Sequence, residues 1–334
     1  VTTWTYVFAD GQADGRGDEK ELLGGKGAGL AAMTRLGIPV PAGFTITTEC
    51  CAAVRENGGA WPDDLQGQVE SALARVEEVS GRGFGDAARP LLVSVRSGAK
   101  VSMPGMMDTV LNIGLCEETL PGLARGANER FAWDSYRRLI QMLGDVVLGV
   151  PHEHFEHLLA EVRDKAGARA DHELDVGHLR ELVGRYKQLV SERTGRPFPD
   201  RPWEQLRLAI DAVFSSWDNP RARKYRAIHG IRGLQGTAVN VQQMVFGNLG
   251  DGSATGVCFT RNPSTGENVF YGEFLQNAQG EDVVAGIRTP RPITEIDAIL
   301  PGMLDRLLEV KDALEAHYRD MQDIEFTVED GRLY

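Results

Sequence analysis

The apolar positions of this chain keep two different periods, and the change of period splits it in three. Up to about residue 115, short apolar runs alternate with glycine-rich segments, the pattern of strands joined by loops. LLVSV (91–95) reads as a buried strand. The stretch after Lys26 predicts a short helix that ends at Gly37, a C-cap signal ahead of Ile38-Pro39. From about 116 to 235 the apolar residues fall three and four apart. Ala132, Tyr136, Leu139, Leu143, Val146 and Val147 share one face, and Phe155, Leu158, Leu159 and Val162 another. Leu179, Leu182, Val183, Tyr186, Leu189 and Val190 form a long stripe, and Leu206, Ile210, Val213, Phe214 and Trp217 a further one. This middle third predicts a helical subdomain.

After Gly236 strands return in TAVNVQQMVFG, GVCFTRNP and NVFYGEFL. The glycine-rich NLGDGSATG (248–256) is expected to join the first two as a long hairpin loop. A helix follows, with Leu307, Val310, Leu314 and Tyr318 on one face. DIEFTV, EDG and RLY then read as a strand, an Asp-Gly turn and the start of a second strand. We find no internal repeat and no low-complexity tract.

Composition adds a class to this pattern. With 334 residues, 42% hydrophobic and 25% charged, the chain is long enough for two or three packed units and has the make-up of a soluble globular protein. A formal net charge of −12, with no Lys/Arg block to offset it, argues against nucleic acid and anionic membranes as partners. Cys50, Cys51, Cys116 and Cys258 form no Cys-x-x-Cys pair and no zinc-like spacing, so reduced thiols are expected. No apolar run approaches the length of a membrane span, and VTTWTYVFADG lacks the basic start and apolar middle of a signal peptide. The expected location is the cytoplasm.

Three segments carry candidate chemistry. In ELLGGKGAGLAAMTRLG (21–37), Lys26 stands among Gly24, Gly25, Gly27 and Gly29. No Ser or Thr follows it, so this is not a Walker A loop. Gly27-Ala28-Gly29-Leu30-Ala31-Ala32 fits G-x-G-x-x-A, but the charged DEKELL before it is not the buried strand that a dinucleotide fingerprint needs. The residues alone leave open a phosphate loop or a plain helix start. In a phosphate loop the glycines would let the backbone approach an anion, and Lys26 would supply a point charge.

Arg96 ends the LLVSV strand and opens SGAKVSMPGMMDT (97–109). An arginine there can fork two bonds onto a phosphate, Gly105 would expose backbone, and Thr109 could offer a hydroxyl. A structural ion pair for Arg96 and core packing for Met103, Met106 and Met107 account for the same residues, and the segment alone favours them. Asp323 and Glu325 stand two apart in a predicted strand, so both carboxylates point one way while Ile324 and Phe326 point the other. Two hard oxygen ligands on one rigid face suit Mg²⁺ carrying nucleotide phosphates. By spacing alone, a solvated acidic strand face is the favoured reading. His152, His154 and His157 lack metal-ligand spacing on a helix that already has an apolar face. The basic residues after Trp217-Asp218-Asn219-Pro220 read as a helix end paired with acidic neighbours.

The motifs do not stand alone. LLGGKGAGLAAMTRLGIPVPAGFTITTE, LLVSVRSGAKVSMPGMMDT, SWDNPRA, GTAVNVQQMVFG, GVCFTRNPSTGE, NAQGEDVVAGIRTP and MQDIEF occur in this order. Together they closely resemble the N-terminal nucleotide-binding domain of the pyruvate, phosphate dikinase family, from about Tyr6 to Tyr334. SVRSGAKVSMPGMMDT and NAQGEDVVAGIRTP separate the chain from the related phosphoenolpyruvate synthases and rifamycin phosphotransferases.

The resemblance implies an α/β, ATP-grasp-like fold whose two lobes hold a nucleotide between them. A first lobe with phosphate-binding loops would cover 1–115, a helical insert and return to that lobe 116–235, and a second lobe, truncated at its last hairpin, 236–334. By matching motif positions, Lys26 and Arg96 would bind the ATP phosphates and act in catalysis. Gly105 and Thr109 would lie over those phosphates. Gln242 and the Met244-Val245 backbone would contact adenine. Glu325 would bind the nucleotide or its Mg²⁺, with Asp323 beside it, and Glu273 and Glu281 stay unassigned. The implied activity is transfer of the β-phosphoryl of ATP to a histidine on a separate swivelling domain, with AMP as a product. Inorganic phosphate, a pyruvate-binding domain and a homodimer of the complete enzyme are the further partners implied. The resemblance also implies a fragment, because the rest of the last hairpin, with a glutamine and an arginine of the nucleotide site, is missing, as are the other two domains. Two alternatives remain: a nucleotide-binding module without transfer activity, and a related phosphotransferase domain with another acceptor.

Overall fold

A central strand arrives late in the chain. The first sheet is built from β1 (Thr5–Ala9), β2 (Gln12–Ala13), β3 (Gly43–Ile46), β4 (Val93–Gly98), β5 (Thr109–Ile113) and β6 (Ala238–Gln243). Its order is β2-β1-β3-β6-β4-β5, with each neighbouring pair antiparallel. The computed structural model describes residues 2–103, 105–280 and 288–334. They form two compact units, 1–32 with 42–244, and 33–41 with 245–334.

The position of β6 overturns the hairpin expected across 248–256. β6 belongs to the first sheet and β7 (Ala254–Phe259) to the second. The reason is burial: Ala238, Val239, Asn240, Val241 and Gln242 are all buried, so β6 needs a neighbour on each edge. β3 and β4 take both edges, and none remains for β7.

Helix α1 (Lys20–Arg35) begins before Lys26, not after it, and is broken only at Gly24, where φ is 69° and ψ 172°. Its end follows the expectation. Gly37 has φ 75°, its N–H donates to the Thr34 carbonyl at 3.1 Å, and Ile38 N–H reaches the Met33 carbonyl at 3.1 Å, a Schellman cap. After α2 (Thr48–Glu56) and α3 (Leu65–Ser80), the middle third is helical as its period requires. It contains α4 (Leu120–Gly126), α5 (Glu129–Met142), a π turn (Leu143–Val147), α6 (His152–Ala166), α7 (Val176–Thr194), α8 (Pro202–Ser216) and α9 (Pro220–Ile228). Ala132, Tyr136, Leu139 and Leu143 are buried, while Val146 and Val147 are half-exposed because the π turn shifts the helical phase there. Pro220 opens α9, and Asn219 Oδ1 accepts from Arg221 N–H at 3.1 Å. All four cysteines are free and buried.

The helical region has a charged interior. Arg137, its side chain 5% exposed, donates through Nη2 to Asp134 Oδ1 at 2.7 Å, and Arg138 Nε lies 3.1 Å from Asp134 Oδ2. Burial works against the charged form of Asp134, but the two guanidiniums outweigh it and hold its carboxyl down at about 2. A lowered carboxyl adds stability that is full above its unfolded value and is lost as pH falls through about 2. Asp134→Asn leaves the buried Arg137 with only the more distant carboxylate of Asp171, 3.9 Å away, and is expected to cost roughly 3 kcal/mol at neutral pH. Urea unfolding from about pH 5 downward checks this, since the gap between wild type and variant should narrow as the native Asp134 protonates.

The second sheet runs β11-β10-β7-β8-β9, all antiparallel, with β8 (Tyr271–Gln276), β9 (Arg291–Pro292), β10 (Asp323–Glu329) and β11 (Arg332–Leu333). Cys258, Phe274, Phe326 and Val328 from the sheet pack with Met303 and Leu307 of α10 (Met303–Tyr318). Along α10, Leu307 and Leu314 are buried as expected, whereas Tyr318 at its end is 37% exposed. Asp330 and Gly331, with φ 47° and 76°, form the turn between β10 and β11. Among the described residues, no helix is long and apolar enough to cross a membrane.

Candidate functional site

A polar row crosses the first sheet. Thr45 on β3 pairs with Asn240 on β6, Asn240 with Arg96 on β4, and Arg96 with Thr109 on β5. Alternation puts Gln242 on the same face as Asn240, and Arg96 Nη2 donates to Gln242 Oε1. Gln242 is 4% exposed and Arg96 half-buried, so the guanidinium is fixed by its neighbour instead of waving in solvent.

Glycines then bring α1 onto this row. A Cβ on Gly24 would lie 1.6 Å from the Gly98 carbonyl oxygen. Gly25 N–H donates to the Ala99 carbonyl at 3.0 Å. A Cβ on Gly27 would lie 2.7 Å from Thr45 Oγ1 and 3.1 Å from Asn240 Oδ1. A Cβ on Gly98 would lie 2.5 Å from Asn240 Nδ2 and 3.7 Å from Lys26 Cβ. These glycines allow a helix to begin hard against the end of β4. The segment is therefore a helix start and not an extended phosphate loop. Lys26 stands exposed in the first turn after the break, where the helix dipole favours an anion. Lys26, Arg96, Gln242 and Thr109 thus come from separate segments to one region.

The segment between β4 and β5 is closed by Ser97 N–H donating to the Asp108 carbonyl at 3.4 Å. Within it, Met106 N–H donates to the Met103 carbonyl at 3.1 Å, and exposed Gly105 takes φ 68°. Met103 is buried, as core packing requires, while Met106 and Met107 are half-buried. Burial pushes the Asp108 carboxyl up, with the Arg221 charge acting against it and the Asp145 charge adding to it. Met244 N–H donates to the Leu92 carbonyl at 2.8 Å. Met244 is the last residue of the first unit here, and Val245 begins a stretch of the second.

The acidic pair lies in the second unit. Asp323 and Glu325 are exposed on one face of β10, and Phe326 is buried on the other. Register places Glu325, Val257 and Glu273 in one row, and Asp323, Phe259 and Tyr271 in the next. Glu273 therefore shares the face of Glu325, which spacing within one segment could not reveal. Burial, and then the Glu325 charge, push the Asp323 carboxyl up. Two carboxylates that repel each other suit a divalent cation. Among the described residues no group of three or more His, Cys, Asp or Glu side chains could hold a metal ion. The pair fits Mg²⁺ only as a cation that takes the rest of its oxygens from phosphate and water. Glu281 lies outside the described residues. His152 and His157 are exposed and pair with carboxylates, His152 Nδ1 with Asp145 at 3.2 Å and His157 Nε2 with Glu161 at 2.9 Å. Asn240 was missed, although the period of two in Ala238, Asn240 and Gln242 marks it as a polar residue inside a buried strand.

The sequence matches the family described as "Pyruvate phosphate dikinase, AMP/ATP-binding domain" over residues 20–62 and 60–297. The chain belongs to this family. Its helices and antiparallel sheets are the α/β, ATP-grasp-like fold of a pyruvate phosphate dikinase nucleotide domain. It is 55% identical to the pyruvate, phosphate dikinase of Rhizobium meliloti over 347 residues, covering 100% of this chain and 39% of that protein. Identity to the chloroplastic pyruvate, phosphate dikinase 1 of Zea mays is 54%, covering 98% of this chain and 35% of the relative. The Clostridium symbiosum enzyme of the same name is 52% identical, with 100% and 38% covered. The chain thus spans less than two-fifths of the length of these relatives.

Proposed function

We propose that this chain binds ATP with Mg²⁺ and holds the triphosphate for transfer of its β-phosphoryl group to a histidine on another domain. The observation that supports this reading is the packing of the Gly24 break of α1, just before Lys26, against the end of β4, the strand on which Arg96 donates to Gln242. Lys26 and Arg96 offset the triphosphate charge, Lys26 as a point charge and Arg96 as a fork whose plane Gln242 fixes. Gly105 and Thr109 cover the phosphates. Gln242 and the Met244-Val245 backbone meet adenine. Asp323 and Glu325 would hold Mg²⁺, which when bound supplies further charge neutralisation to the phosphates.

In this reading the histidine nitrogen attacks the β-phosphorus, the bond from that phosphorus to the bridging α–β oxygen breaks, and AMP leaves; the histidine then carries both the β- and γ-phosphates until inorganic phosphate takes the γ-phosphoryl group away as diphosphate and leaves the β-phosphoryl behind. The chain's own part is positioning and electrostatic stabilisation, since phosphoryl transfer asks little covalent chemistry of the binding site. Inorganic phosphate as co-substrate, a pyruvate-binding domain that yields phosphoenolpyruvate, a homodimer and a cytoplasmic setting belong to the same proposal. Calorimetric titration of Mg·ATP into the chain tests it. Saturable binding with one nucleotide per chain is expected, and absence of heat and of any thermal stabilisation by Mg·ATP overturns it. Glu325→Gln is expected to weaken ATP binding roughly tenfold in the presence of Mg²⁺ and hardly at all in its absence. Titrations with Mg²⁺ and with EDTA check that contrast.

A further inference from the structure

We propose that Lys100 is a third cation for the nucleotide phosphates, held by Glu21 while the site is empty and handed to the triphosphate on binding. This rests on the nucleotide reading above. Lys100 stands two residues after the end of β4. Its carbonyl oxygen and that of Ala99 would lie 3.2 Å and 3.5 Å from a Cβ on Gly25, the residue before Lys26. Gly25 N–H donates to the Ala99 carbonyl at 3.0 Å. The backbone of Lys100 is thereby fixed beside the start of the helix that carries Lys26. Its side chain pairs with Glu21, in the first turn of α1 ahead of the Gly24 break.

Three facts make this pair a holding contact. First, its side chains are 39% and 72% exposed, so the attraction is weak and screened by water and salt. Second, a lysine ammonium on its flexible stem can change partner without moving the backbone. Third, Lys26, Arg96 and Lys100 gather positive charge around one helix start, and Glu21 offsets part of it until an anion arrives. A triphosphate carries several negative charges and outcompetes one exposed carboxylate.

The two single variants separate this from a structural role. Lys100→Met and Glu21→Gln delete the same ion pair, so a purely structural pair predicts effects of the same sign. The exchange of partners predicts opposite signs. Lys100→Met should weaken Mg·ATP binding about five- to tenfold, and Glu21→Gln should tighten it about two- to fivefold, the scale of exposed and phosphate-bound charges. Glu21→Gln combined with Lys100→Met should bind like Lys100→Met. Calorimetric titration with Mg·ATP, with melting temperatures taken alongside, reads all four proteins. If wild type binds and both single variants shift affinity in the same direction, or neither shifts it, the role of Lys100 is overturned and the nucleotide reading stands. If wild type itself does not bind, both fall.

Discussion

Lys26→Ala is expected to weaken Mg·ATP binding by roughly ten- to a hundredfold, because a hydrogen bond to a charged group contributes about 1.5–3 kcal/mol. Arg96→Ala should lose at least as much, since a fork offers two such bonds. The two differ in what they do to the protein. Lys26 is exposed in the first turn of the helix, so its loss should leave the melting temperature within about 2 °C of wild type. Arg96 is half-buried and donates to Gln242, so its removal takes a partner from a buried amide and should cost about 1–3 kcal/mol of stability. Arg96→Lys restores the charge without the fork and should recover only part of the affinity. Calorimetry beside urea unfolding separates these contributions. Unchanged affinity in Lys26→Ala would make that residue a surface charge on a helix start. Unfolding of Arg96→Ala would make its arginine a structural residue.

The legible parts of this molecule are those governed by local period. Gly37 as a helix end, the alternation of Asp323 and Glu325 against Ile324 and Phe326, and the helical middle third follow from side-chain spacing within one segment. What spacing hid is non-local. β6 reads like the first arm of a hairpin, yet its two partners come from residues 43–46 and 93–98. Glu273 gains its meaning only from the register of β8 on β7 and of β7 on β10. The glycines around Lys26 leave a phosphate loop and a helix start both open, because glycine weakens a helix and suits a loop. The reason for Gly24 and Gly27 lies across space, in Gly98, Thr45 and Asn240, which leave no room for a Cβ. Arg96 on its own was better read as a structural ion pair. The order of motifs, not the chemistry of any one of them, pointed to the nucleotide.

Gly24→Ala is expected to be the most damaging single substitution at the site, and Gly29→Ala, five positions on in the same helix, a stabilising one. Gly24 sits at φ 69° and ψ 172°, a region that side-chain-bearing residues reach only at about 1–3 kcal/mol. The added methyl would also lie 1.6 Å from the Gly98 carbonyl oxygen, a clash of backbone with backbone that no rotamer relieves. The helix must then lift from β4. Together these should cost more than about 4 kcal/mol, a large share of the roughly 5–15 kcal/mol that holds a domain folded. Gly29 has helical backbone and open space around its Cβ position, so alanine there should add about 1 kcal/mol. Urea unfolding of the two variants checks both signs. If Gly24→Ala unfolds at the wild-type midpoint, the break does not exist and Lys26 does not begin a helix. If it unfolds early, Lys26 owes its place beside Arg96 to a single residue without a side chain. A population of Gly24→Ala that still folds should then lose Mg·ATP affinity as severely as Lys26→Ala, although its lysine is intact.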